Sequence, residues 1–296
     1  MAHSGSVHAV ALPERYPIAQ RVAALPWRAW LSDARHFQIA ALATLLCVNM
    51  SWLDFGAKPL PSLLAIASTL GAQITCSQLW RLPRIDLRSP LITGFSLSLL
   101  LRTDDPALMA VAGVIAIVAK FAIRIDGKHL WNPAAIAIVT LLFTTDQAWI
   151  SPGQWGASVW FAALLAFLAI LVLHASRRTD IALFFLGGHA GLLVARALWL
   201  GDPLAIPLHQ LESGALLLFA FFMISDPRTA PDSRLGRLVF ALAVALLAYW
   251  LAFFQQLRPA LPVALVAVSL FTPILDRLLP AERFQWSKPS LKGAAS

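Results

Sequence analysis

The chain has 296 residues, of which 59% are hydrophobic and 13% charged, and its mean hydropathy is +0.72. A soluble domain is about 45–50% apolar and about 25% charged, so this composition excludes an ordinary soluble protein. The net charge of +8 does not indicate a nucleic-acid partner, because the basic residues lie in short segments beside apolar blocks, where anionic lipid explains them. The lipid bilayer is the predicted partner.

Apolar blocks recur along the chain, and most approach the ~20 residues that a helix needs to cross a bilayer. They are 37–53, 60–80, 90–101, 106–123, 132–143, 157–174, 180–200, 213–225, 235–254 and 260–279. We therefore predict an all-α polytopic membrane protein of about ten transmembrane helices. A single transmembrane domain, 37–280, would lie between a cytoplasmic N-terminal segment, 1–36, and a cytoplasmic tail, 281–296.

The basic residues predict the orientation of these helices, because Lys and Arg are retained on the cytoplasmic side of a membrane. With the N-terminus in the cytoplasm, 19 of the 23 basic residues fall in cytoplasmic segments. The other side receives Lys58, Arg102, Arg196 and Arg258. The sequence thus predicts a bacterial inner (plasma) membrane protein with both termini in the cytoplasm.

The third, fifth and eighth blocks are short, and short spans at matching positions of two halves are typical of inverted repeats around a central site. The third and eighth blocks both end in Asp-Pro, at Asp105 and Asp226, and the fifth and tenth both begin with Pro-Ala. This offset of five predicts two inverted repeats, at about 37–145 and 157–279. The alternative is that these dipeptides are common chemistry at helix ends.

The most polar stretch between blocks surrounds the start of the fifth, where free helix N–H groups favour an anionic or carbonyl-rich ligand. Asn132 also suits a simple helix cap. Lys120 lies at the end of an apolar helix, where a charge faces a cavity or snorkels to the headgroups. Asp226 can accept from a ligand N–H or pair with Arg228. His189, inside a block, is a candidate for proton movement or a packed imidazole.

Five motifs together resemble a known family. They are Leu91-Ile92-Thr93-Gly94, then Lys120, then Gly127 with Trp131-Asn132-Pro133-Ala134, then the run from Phe222 to Pro231, and finally Phe271 to Asp276. In order and spacing they resemble the B subunit of sodium-translocating NADH:quinone reductase and the D subunit of the Rnf complex. The resemblance implies a ten-helix inverted repeat similar to urea transporters, and a flavin-bearing subunit of a complex that couples electron transfer to ion movement.

One departure concerns the flavin anchor. Family members attach FMN covalently through the Thr of a Ser-Gly-Ala-Thr motif, and the corresponding stretch here, 144–156, lacks that motif. We therefore expect riboflavin or FMN to bind noncovalently, or a quinone to bind instead, and covalent FMN is not expected. The candidate cofactor-binding residues are Thr93, Gly94, Lys120, His129, Trp131, Asn132, Asp226 and Thr229.

The sequence predicts no metal centre, since its two cysteines are too few and too dispersed for a cluster. It also has no nucleotide-cradling loop, so any reductase activity would depend on other membrane redox subunits, and no catalytic residue is assigned. Two alternatives to a redox subunit remain: a stand-alone permease for a flavin or small solute, and a cofactor-free scaffold of a membrane complex.

Overall fold

The computed structural model describes residues 33–53, 57–151, 167–168 and 178–284, and within them the chain is mostly helical. Two helices, Ala34–Val48 and Gly214–Leu218, continue into π-helical turns at Asn49–Leu53 and Phe219–Met223. The helices are α1 (Ala34–Val48), α2 (Pro59–Leu79), α3 (Arg88–Leu100), α4 (Ala107–Ala122), α5 (Pro133–Thr144), α6 (Thr179–Leu200), α7 (Ala205–Leu211), α8 (Gly214–Leu218), α9 (Arg234–Phe253), α10 (Ala260–Ser269) and α11 (Thr272–Leu278).

These helices lie over nine of the ten predicted blocks, and the sixth block lies outside the described residues except for 167–168. By length and composition, α2, α6 and α9 are each able to cross a membrane. Two bent pairs, α7 with the α8 segment at 49° and α10 with α11 at 47°, raise the number of candidate spans in the described residues from three to five. The sequence analysis did not predict α7, because seven residues are too few for a periodic pattern.

Local chemistry explains where several helices begin and end. The Asn132 side chain accepts from the Ala135 backbone N–H, with Pro133 at the first helical position, so Asn132 caps α5. Ser233 caps α9 in the same way through Gly236. Helix α2 ends where Leu82 N–H donates to the Ser77 carbonyl at 2.9 Å, the backbone arrangement of a Schellman motif.

Two small antiparallel ladders mark opposite ends of the helical bundle. Strand β1 (Leu101–Thr103) pairs with β4 (Ala148–Ile150), where α3 and α5 end. Strands β2 (Arg124–Ile125) and β3 (Lys128–His129) pair where α4 ends and α5 begins. The Asp126-Gly127 turn between β2 and β3 has φ of 51° and 75°, as a two-residue hairpin requires. We call the β2–β3 end the basic end, because it carries Lys120, Arg124 and Lys128.

Close packing at small residues holds the first helices together. A Cβ at Gly94 in α3 would lie 2.9 Å from the Ile66 Cα in α2, and one at Gly113 in α4 would lie 2.0 Å from Ser68 Oγ. Such approaches are typical of helices associated within a membrane. Helix α6 packs on α9, where Gly188 meets Leu242. This packing brings the ends of α3, α4 and α5 together at the basic end.

Candidate functional site

A pocket of about 220 Å³ opens at the basic end, between the start of α3, the end of α4, the start of α5 and the loop that follows α8. We call it the basic pocket. Five of the eight residues that the sequence analysis singled out line it, and they come from four separate segments of the chain. They are Thr93, Lys120, His129, Asn132 and Asp226.

Lys120 occupies the last turn of α4 and is only 7% exposed. Its ammonium donates to Gln73 Oε1 and to Ser89 Oγ, both at 2.9 Å. Both acceptors are neutral, and within the described residues the ammonium makes no salt bridge. A buried positive charge without a close counterion is costly, so this position favours an anionic or carbonyl ligand.

Asn132 and Asp226 bring the start of α5 against the loop after α8. While Asn132 caps its helix, its Nδ2 lies 3.4 Å from the Met223 carbonyl and 3.4 Å from Asp226 Oδ2. Asp226 Oδ1 accepts from the Arg228 backbone N–H at 3.0 Å. Burial raises the pKa of Asp226, although the Arg228 contact and the Lys120 charge oppose the shift. The part of Asp226 that stays exposed lines the pocket.

His129 lies in β3 and is 7% exposed. Burial, followed by the positive charges of Lys120, Arg228 and Arg124, lowers its pKa from 6.5 to about 3. The imidazole is therefore neutral near pH 7, and its buried Nδ1 has no hydrogen-bond partner among the described residues. An unpaired buried nitrogen is unfavourable, so this position carries a local cost to stability.

Positive charge exceeds negative charge around the basic pocket, whose lining holds Arg35, Lys120, Arg124 and Arg228 against Asp86 and Asp226. The positive charge of Arg35 is already balanced, because it forms salt bridges with Asp33 and Asp86. Burial alone would raise the pKa of Asp86, but its bonds and proximity to Arg88 and Arg35 hold that pKa below the ordinary value. The excess charge therefore belongs to the other three cations, which favours an anionic or carbonyl-rich ligand.

Three predicted residues lie outside the lining of the basic pocket. Gly94 packs against α2, Trp131 Nε1 donates to the Val266 carbonyl in α10 at 3.0 Å, and Thr229 Oγ1 donates to the Asp226 carbonyl at 3.4 Å. Each joins or shapes the segments that form the pocket walls. The structure thus separates five residues that face the pocket from three that position its walls.

Sequence reasoning missed Gln73 and Ser89, the two partners of Lys120. Gln73 is buried in the second half of apolar α2, 47 residues before Lys120. A polar side chain inside a membrane-spanning helix is itself a functional signal, and that signal was available in the sequence. Ser89 carries no comparable signal, because a Ser near a helix start is ordinary capping chemistry.

A second, larger space lies at the opposite end of the bundle, with a volume of about 920 Å³. We call it the apolar cavity. Aromatic side chains of Phe143, Trp149 and Phe219 line it, and its polar lining includes Ser151 and Arg258. The sequence analysis did not predict this cavity, because its walls come from α3, α5, α8 and α10.

Comparison with known proteins identifies one family and several relatives that the chain resembles. Residues 145–285 match the model of the NQR2, RnfD, RnfE family. The chain is similar to a protein of Cronobacter sakazakii that is named as the D subunit of an ion-translocating oxidoreductase complex. The two are 26% identical over 322 residues, which cover 82% of this chain and 92% of the relative.

Two further relatives carry the same name. That of Alcanivorax borkumensis is 37% identical over 127 residues, which cover 42% of this chain and 37% of the relative. That of Shewanella amazonensis is 32% identical over 168 residues, which cover 53% of this chain and 48% of the relative. In these two cases the match spans less than half of the relative's own length.

Proposed function

We propose that this chain belongs to the NQR2, RnfD, RnfE family and is a multi-pass membrane subunit of an ion-translocating oxidoreductase complex that binds a flavin noncovalently. One observation carries the flavin proposal: Lys120, His129, Asn132 and Asp226 converge on a single pocket. We expect other membrane redox subunits as partners, since the relatives are named as subunits of a complex.

The polar edge of a flavin ring carries carbonyl and ring-nitrogen acceptors on either side of one N–H. Lys120 offers a donor to such an edge, because only two of its three N–H groups are used by Gln73 and Ser89, and Asp226 offers carboxylate oxygens as acceptors. His129 and Asn132 line the same pocket beside them. The pocket volume of about 220 Å³ is below the ~300–1,000 Å³ of a complete small-molecule site. We therefore propose that the pocket holds only the polar edge, with the remainder of the cofactor at the opening.

A bound flavin would supply one- and two-electron transfer. The residues of this chain bind and orient it and set the charge around it. Lys120 and Arg228 favour a ligand that carries negative charge, whereas Asp226 accepts a hydrogen bond and opposes such charge. A quinone, which also presents carbonyl oxygens, is the alternative occupant of the basic pocket.

The apolar cavity is a second candidate position for the flavin ring. Its volume of about 920 Å³ lies within the range of complete ligand sites, and aromatic side chains line it. Flavin occupancy of purified variants distinguishes the two positions. Lys120→Met and Asp226→Asn should lower flavin occupancy if the basic pocket binds it, and Phe219→Ala should lower it if the apolar cavity does.

The test of flavin binding is an absorbance spectrum of detergent-purified protein before and after acid precipitation. Flavin released into the supernatant would support noncovalent binding, and flavin in the pellet would show a covalent anchor. Protein that carries no flavin would favour a permease or a scaffold. Uptake of flavin or small solutes by proteoliposomes that contain only this chain would then select the permease.

We also propose ten membrane spans in two inverted five-helix repeats, with the basic end and both termini in the cytoplasm. The support is that α5 starts at the basic end whereas α10, its counterpart, starts at the opposite end beside the apolar cavity. Cys47 and Cys76 are the two cysteines of the chain, so replacing both gives a cysteine-free protein into which single cysteines can be introduced. Single cysteines at Arg84 and at Asp104 should be labelled from opposite sides of the membrane, and labelling from one side would contradict the topology.

A further inference from the structure

The loop that joins α2 to α3 exposes an unusual mixture of side chains. Residues 79–87, which we call the interfacial loop, include five apolar side chains and two arginines. The apolar members are 40–69% exposed: Leu79, Trp80, Leu82, Ile85 and Leu87. Arg81 and Arg84 are exposed too, and within the described residues their guanidinium groups form no salt bridge.

Helix length fixes the depth at which this loop lies. Helix α2 has 21 residues, which at ~1.5 Å per residue span about the ~30 Å of a hydrocarbon core. If α2 crosses the membrane, as its length and composition allow, Trp80 falls at the membrane boundary, where Trp is enriched. The residues after it extend beyond the hydrocarbon, so water would surround Leu82 and Ile85 unless these side chains turn back into the headgroup layer.

Arg81 has a backbone conformation that residues other than Gly and Asn rarely adopt. Its φ is 51°, in the left-handed region where Gly, or sometimes Asn, ends a helix at lower cost. The positive charge has a modest local benefit at a helix C-terminus. A strained position that carries a long exposed cation, next to exposed apolar side chains, indicates an external contact.

We propose that the interfacial loop is a binding site for anionic phospholipid headgroups. The guanidinium groups of Arg81 and Arg84 bind the phosphate, and the side chains of Trp80, Leu82 and Ile85 lie at the boundary between headgroups and acyl chains. Basic residues near a membrane surface favour anionic lipid by about fivefold each. Asp86 in this loop and Ser89 just after it line the basic pocket, but the lipid site does not depend on any cofactor there.

The test uses the full chain in detergent, to which phosphatidylglycerol or phosphatidylcholine is added, with native mass spectrometry to count bound lipids. We expect phosphatidylglycerol to bind in preference to phosphatidylcholine, and the double variant Arg81→Gln/Arg84→Gln to lower its apparent affinity by about tenfold or more. The charge-preserving double variant with Lys at both positions should retain most of the preference. Arg234→Gln is the matched control, because Arg234 is another exposed arginine at the basic end.

Three outcomes would overturn the proposal. Equal binding of the two lipids would exclude a headgroup site, and a loss in Arg234→Gln that is as large per charge removed would show that net charge alone attracts the lipid. If the double variant instead loses a co-purifying protein while its lipid binding is unchanged, the loop is a protein interface. Thermal stability of each variant, measured without added lipid, shows that a loss of binding is not a loss of folding.

Discussion

The buried ammonium of Lys120 donates to the amide oxygen of Gln73 at 2.9 Å, and this contact joins the end of α4 to the second half of α2. The pair is a charge with a neutral partner. Removal of such a charge need not destabilise the protein, because burial of an ion without a counterion is costly. Function and stability should therefore respond differently to substitution at this position.

We expect Lys120→Met to weaken flavin binding by about 10- to 100-fold, since a hydrogen bond from a charged group contributes about 1.5–3 kcal/mol. The thermal midpoint should stay the same or rise. Flavin titration by fluorescence quenching measures the first effect, and a melting curve in detergent measures the second. Lys58→Met, at the opposite end, is the control. Unchanged flavin affinity in Lys120→Met would exclude Lys120 as a contact.

His129 predicts a specific pH dependence of stability. Its pKa is lowered to about 3 in the folded protein, while the unfolded chain titrates near 6.5, so the unfolded state binds more protons between these values. The stability that the neutral imidazole contributes is present above pH 6.5 and is lost progressively as pH falls toward 3. Melting curves from pH 7.5 to pH 5 should show a falling midpoint.

The variant His129→Gln should flatten that fall, because it removes the titrating group. His209→Gln is the matched control, since His209 is exposed in α7, and it should leave the pH dependence unchanged. If the His129→Gln curve has the same slope as the parent protein, other groups dominate the acid response.

The sequence predicted the positions of most helices, but it did not predict which side chains meet where the helices pack together. Apolar blocks and caps such as Asn132-Pro133 are local signals, and helices begin near the predicted residues. The Lys120 to Gln73 contact depends on how α2 and α4 pack, which no local pattern encodes. Trp131 shows the same limit: the motif that it shares with Asn132 makes it a candidate ligand contact, but the bond from its indole to α10 depends on helix packing that the motif does not encode.

Substitution of Gly94 tests whether this glycine is needed for helix packing. A Cβ at Gly94 would lie 2.9 Å from the Ile66 Cα, whereas a Cβ at Gly191 would meet nothing within 4 Å. We expect Gly94→Ala to destabilise the protein by about 1–3 kcal/mol, as overpacking does, and Gly191→Ala to be neutral or slightly stabilising. Melting curves of the two variants, each without added flavin, test this. Equal midpoints would mean that α2 and α3 are not in close contact at Gly94.

The charge cluster beside the basic pocket offers a test of how the basic end is held together. Lys128 Nζ lies 2.8 Å from Asp276 Oδ2 and 3.2 Å from Asp232 Oδ1, and Asp276 Oδ1 accepts from the Asp232 backbone N–H at 2.8 Å. These bonds fasten the β2–β3 hairpin to α11. By contrast, the Arg277 to Asp126 pair is more than half exposed and 3.4 Å long.

We expect Asp276→Asn to lower stability by about 1–3 kcal/mol, because it leaves Lys128 with a single carboxylate and weakens a charge-assisted bond. Asp126→Asn should cost less than about 1 kcal/mol, as exposed ion pairs do. Chemical denaturation of both variants in the same detergent compares them directly. Added salt should narrow the gap between parent and Asp126→Asn more than the gap between parent and Asp276→Asn, because solvent ions screen exposed pairs first. Equal losses in the two variants would mean that the hairpin is not fastened to α11 through Asp276.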